Sequence, residues 1–214
     1  MSQRLTKILM ELYQQMFNRF GPQHWWPGQT KTEIIFGAIL TQNTNWGNVE
    51  KALANLRREG LLNFARLRET PDSEVAAMIR PSGYFNMKTR RLKNFIEFFY
   101  QEYGGSWRRM NAQPLKILRE RILSVNGIGP ETADSILLYA MDRPIFVVDA
   151  YTKRILSRKG LVAPDADYNT VQRLFMENLP ADAVLFNEYH ALIVRAAKEH
   201  CRTRPVCDGC PVKC

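Results

Sequence analysis

"SVNGIGPETADSILLYA", residues 124–140, sets Gly127 and Gly129 two positions apart immediately before an apolar helical run. Pro130 suits the first position of that helix, because a first-turn residue needs no N–H donor. Ala133, Ile136, Leu137 and Ala140 then fall on one stripe at helical spacing and read as its buried face. A further helix over 113–124 precedes the glycines, so the stretch reads as helix, tight turn, helix. Residues without a Cβ let the turn close tightly and let another group approach the backbone. The free N–H groups and dipole at the second helix's start favour an anion such as phosphate. Glycine turns also serve as plain helix connections, so this one acquires meaning from its company.

Working outward, almost every segment reads as helix. Leu5, Ile8, Leu9, Leu12, Tyr13, Met16, Phe17 and Phe20 recur at helical spacing until "FGPQHWWPG" breaks the pattern. Thr30 and Glu33 form a capping box for "EIIFGAIL". Helices are expected near 46–58, 71–79 and 88–102, with Pro71 as a first-turn proline. "IFVVD" is a short extended apolar stretch, and Asp149 is placed to cap a helix starting at Ala150. Two more helices are expected near 168–178 and 181–200. Strand alternation never persists and no long repeat is present. The expected fold class is all-α.

Composition fits a globular protein that acts on a polyanion. The 214 residues are 45% hydrophobic and 24% charged, with a net charge of +9. The basic residues cluster in "KTRRLK", "RERI", "KRILSRK" and "RAAKEHCRTR" rather than in one tail. Nucleic acid is the commonest partner for such a surface, although charge alone also fits a merely basic protein. The N-terminus lacks a signal-peptide core and no apolar run reaches membrane-spanning length, so a cytoplasmic protein without a membrane partner is expected.

Cysteine placement is more telling. None occurs before Cys201, and then Cys201, Cys207, Cys210 and Cys214 crowd the last fourteen positions. Without an export signal disulfides are not expected. Four thiolates on a short loop can surround one metal centre. Zinc would be satisfied by four sulfurs, but its structural sites usually come as two separated pairs. A compact run suits an iron–sulfur cube at least as well. Spacing alone leaves the metal open.

"ILTQNT", "LSVNGIGPETADSILLYA", "VVDAYTKRIL" and the terminal cysteines, in this order, resemble the endonuclease III-like helix-hairpin-helix DNA glycosylases. The resemblance spans nearly the whole chain. It implies a six-helix domain at 29–141 and a second helical domain from 1–28 and 142–214, gripping damaged double-stranded DNA between them as a monomer. It implies a [4Fe–4S] cluster on the four cysteines, though their run is shorter than the family's usual spacing. The expected DNA contacts are Gln42, Asn126, Gly127, Ile128, Gly129 and Thr132.

The family's catalytic aspartate falls on Asp149. A carboxylate kept ionised there can activate water or stabilise positive charge on the sugar. Bifunctional members carry a lysine two residues past the hairpin's second glycine, whose amine attacks C1′. This chain has Glu131 at that position, so Glu131 joins Asp149 as an expected catalytic-site residue and a monofunctional enzyme is expected. "HWWPG", "QNTNW" and "RPSGYFNMKTRRL" resemble the 3-methyladenine glycosylases within the family. Trp25, Trp26, Pro27 and Trp46 are therefore the expected base pocket, because electron-rich rings attract a cationic alkylated purine. Core packing is the competing role for one of Trp25 and Trp26. Competing functions are a lyase using another amine, a glycosylase for uracil, mismatched or oxidised bases, and a non-catalytic DNA-binding module. His24, His190 and His200 are not assigned as ligands.

Overall fold

The helical spacing of apolar residues is realised throughout, and no strand occurs among the described residues. A computed structural model describes residues 3–26 and 28–213. The helices are α1 (Gln3–Phe20), α2 (Lys31–Leu40), α3 (Trp46–Arg58), α4 (Phe64–Glu69), α5 (Asp72–Met78) and α6 (Phe85–Tyr103). They continue as α7 (Trp107–Asn111), α8 (Leu115–Leu123), α9 (Pro130–Ser135), α10 (Ala150–Arg158), α11 (Tyr168–Met176) and α12 (Ala183–Glu199). A widened turn over Ile136–Ala140 prolongs α9. The chain divides into two compact units, residues 28–141 and residues 1–27 with 142–214. Among the described residues no helix is long and apolar enough to cross a membrane.

Short polar side chains fix where the helices begin. Thr30, Asn45, Asn63, Ser106, Asp149, Asp167 and Asp182 each accept a bond from a first-turn N–H. Such caps satisfy N–H groups that the helix itself leaves open. The Thr30–Glu33 box closes differently from the usual reciprocal pattern. Glu33 N donates to Thr30 Oγ1 at 3.2 Å, but the Glu33 carboxylate accepts from Gln29 N and pairs with Arg57. Pro71 is the cap residue of α5 rather than a first-turn residue. "IFVVD" runs as buried irregular chain.

In the 28–141 unit, α2 is enclosed by its neighbours. Ile35, Phe36, Ile39 and Leu40 are fully buried, as are Ile136 and Leu137 of the widened turn that packs on α2. Phe64 of α4 stacks on Phe36 at 5.4 Å and meets Phe95, Phe99 and Trp107 edge-on. Burial of each such ring contributes about 1.5–3 kcal/mol. In the other unit α12 packs against both α1 and α10. Phe146 stacks on Phe175 with Phe186 and Tyr189 edge-on, and Tyr189 donates to Leu9 O at 2.7 Å.

Candidate active site and hairpin

Within the 28–141 unit, α8 and α9 form the two arms of a hairpin. Arg119 of α8 grips Asp134 of α9 through two bonds, Nε–Oδ1 at 2.7 Å and Nη2–Oδ2 at 2.9 Å. The Asp134 side chain is wholly buried, so losing Arg119 would strand a carboxylate out of water. Between the arms, Ile128 N donates to Val125 O and Ile128 is buried. Asn126 is exposed, and its carbonyl accepts from Asn94 Nδ2 at 3.1 Å.

The two glycines, alike in sequence, do different work. Gly127 holds φ at +90°, and a Cβ there would meet Arg91 Cγ at 2.4 Å. Gly129 has an ordinary extended backbone with φ of −92°, and a Cβ there would meet nothing within 4 Å. Gly127 therefore serves the fold, while Gly129 leaves space over the start of α9. Gly129→Leu is expected to fold, to lose no more than about 1 kcal/mol of stability, and to weaken duplex binding. Gly127→Leu is expected to unfold at a lower temperature because of its backbone strain and the Arg91 clash. Titration with duplex DNA beside thermal melts separates the two. Unchanged affinity in Gly129→Leu removes this opening from the phosphate contacts.

Gln42 is bound into the hairpin. Its Nε2 donates to Gly127 O at 3.1 Å and to Thr132 Oγ1 at 2.9 Å, and its Oε1 accepts from Arg91 Nη1. The structure thus brings together three of the expected contacts, with Arg91 as a fourth partner that the sequence did not single out. One helical turn before Arg91, buried Lys88 donates to Leu40 O and Ser82 O at 2.8 and 2.7 Å. Burial and the nearby Arg91 push the Lys88 ammonium down to about 8. The lysine ties the end of α2 to the turn before α6, where Tyr84 stands 65% exposed with φ at +46°. Trp46 opens α3, half-buried, with its Nε1 donating to Glu50 at 2.8 Å. Glu131 lies exposed in the first turn of α9.

In the unit of residues 1–27 and 142–214, Asp149 caps α10 as expected. Its Oδ1 accepts from Thr152 N at 2.7 Å and from Thr152 Oγ1 at 2.9 Å. Its Oδ2 lies 3.7 Å from Nε2 of His190, and the Asp149 side chain is 14% exposed. Burial works against ionisation, but His190 and the two Thr152 donors outweigh it and hold the carboxyl below its ordinary value. His190 had no role assigned from sequence. Trp25 and Trp26 are half-buried, with rings edge-on at 5.8 Å. Pro27, the other expected pocket residue of this segment, lies outside the described residues.

The cysteine loop is gripped by α10. Arg154 Nε donates to Cys201 O, Arg158 to Arg202 O and Thr203 O, and Lys159 Nζ to Lys213 O. Arg158 Nη1 also donates to Cys201 Sγ at 3.1 Å. Cys201 and Cys210 are buried and Cys207 is exposed. Cys214 lies outside the described residues. Among the described residues no three metal-ligating side chains are close enough to share an ion. Donor chemistry therefore fits a thiolate-bound centre, while assembled ligand geometry is absent from that described set.

Residues 36–181 match the family model described as HhH-GPD superfamily base excision DNA repair protein. A Methanocaldococcus jannaschii protein with a provisional DNA repair glycosylase name is 44% identical over all of this chain and 97% of its own length. The structure of Helicobacter pylori 3-methyladenine DNA glycosylase bound to 1,N6-ethenoadenine matches with TM-score 0.78 and 29% identity, covering 91% of this chain and 97% of that one. A trapped endonuclease III–DNA covalent intermediate matches with TM-score 0.82, covering 97% of this chain and 93% of that one; at 19% identity it speaks for the fold alone.

Proposed function

The chain belongs to the HhH-GPD superfamily of base excision DNA repair proteins, and we propose that it is a monofunctional glycosylase for alkylated purines in duplex DNA. Asp149 is the observation that carries this reading. One of its oxygens is committed to the helix cap, and the group stays ionised despite burial. A carboxylate in that state can take a proton from water as the water oxygen bonds to C1′. The C1′–N bond breaks toward the base, which leaves with the electron pair. An N3- or N7-alkylated purine starts with positive charge and leaves neutral. Water and Asp149 suffice for such a leaving group, and no amine is required.

The alkyl-purine class is supported by Trp46, Trp25 and Trp26, and by the 29% identity with the 3-methyladenine glycosylase. Aromatic faces favour a cationic base by stacking and by cation–π attraction. The outward ring of Tyr84 is a further surface on which a base can stack. Gly129 and the basic clusters are the proposed phosphate contacts. The test is incubation with methylated duplex DNA, with the released bases separated and identified. Release of 3-methyladenine or 7-methylguanine is expected; release of uracil, thymine or oxidised bases instead overturns the substrate assignment.

Cys201, Cys207, Cys210 and Cys214 are the proposed holders of a [4Fe–4S] cluster. Such a cluster cross-links a loop that has little apolar content of its own, and no reaction step needs it. Protein produced with iron available is expected to be brown, with about four irons per chain. Colourless protein with one zinc per chain would reject the cluster.

A further inference from the structure

His190 occupies the buried face of α12 and is 5% exposed. From α10, the Asp149 carboxylate and Thr152 face this region. From the segment before the cap, the Phe146 ring sits edge-on at 6.5 Å. From α1, Tyr13 reaches α12 through the ring of the adjacent Tyr189. Asp149 is thus approached from two sides, by the helix cap at Oδ1 and by the imidazole edge at Oδ2. A buried carboxylate without a donor on its second oxygen would take up a proton more readily.

We propose that His190 is a positioning residue for Asp149, whose Nε2–H keeps Oδ2 anionic and oriented toward the water that attacks C1′. The inference rests on the reading of Asp149 as the reacting carboxylate. At 3.7 Å the pair is longer than a formed hydrogen bond. Catalytic contacts in unliganded enzymes are often long and tighten once substrate is bound. A histidine that only filled space beside Phe146 would leave the ionisation of Asp149 untouched.

Two polar variants separate the roles. Glutamine places its amide nitrogen near the position of imidazole Nε2, whereas the shorter asparagine reaches only the position of Nδ1. Single-turnover base release is measured across pH for His190→Gln and His190→Asn, with binding to undamaged duplex measured alongside. His190→Gln is expected to keep most of the rate. His190→Asn is expected to lose about tenfold at neutral pH, with its acid limb moved up by about one pH unit and its DNA affinity unchanged. Wild-type rate and acid limb in His190→Asn, or identical profiles for the two variants, overturn the proposal. Asp149→Asn is run in parallel. Base release surviving in that variant sinks the underlying reading of Asp149, whereas an inert Asp149→Asn beside an unaltered His190→Asn sinks only the role of His190.

Discussion

Asp149→Asn is expected to slow single-turnover base release by about 10²–10⁴-fold while leaving DNA affinity and stability nearly unchanged. The structure makes this substitution unusually clean. Asp149 has two jobs, capping α10 through Oδ1 and, in the proposed reaction, carrying the charge. Asparagine caps a helix about as well as aspartate, so the first job survives. Its amide oxygen can still accept from Thr152, but the negative charge and the basic lone pair are gone. The loss therefore falls on a state in which positive charge develops at the sugar and a proton leaves water. Asp149→Ala removes the cap as well and is expected to cost a further ~1 kcal/mol of stability. The paired comparison assigns the rate loss to charge. An Asp149→Asn protein that melts like wild type and still releases base at a comparable rate would remove Asp149 from the chemistry.

Most helices were legible because periodic apolar residues and short polar caps agree over many positions. The expected 46–58 helix coincides with α3, and Pro130 and Asp149 stand where their helices start. α4 and α7 were missed because six and five residues are too few to display a period. Asn63 and Ser106, each accepting a first-turn N–H, were the available signals. Sequence treated Gly127 and Gly129 alike, since neither φ nor the position of Arg91 is written in a Gly-x-Gly pattern. His190 was invisible for another reason. A lone histidine among apolar helix residues looks like core, and its partner is distant in sequence. Only the packing of α10 on α12 puts the imidazole beside the carboxylate.

Wild-type protein is expected to leave an intact abasic strand, which breaks only after alkali or a separate endonuclease. Borohydride is expected to trap no covalent protein–DNA adduct. The reason lies at Glu131, in the first turn of α9 beside the hairpin. Imine formation needs a neutral amine at C1′, and a carboxylate supplies neither the nitrogen nor the electron sink that β-elimination requires. A carboxylate is also the charge that a helix N-terminus favours. The converse substitution is more demanding. In Glu131→Lys the same N-terminal field works against the ammonium form and raises the neutral, nucleophilic fraction of the amine. That variant is expected to give a trappable adduct and weak nicking, well below its rate of base release. Asp149→Asn in the same background should abolish both, because the nucleophile still needs the carboxylate's charge as the glycosidic bond breaks. A borohydride-trapped adduct with wild-type protein would place the nucleophile on another lysine or on the N-terminal amine. The monofunctional reading would then be wrong, even if the released base were the expected one.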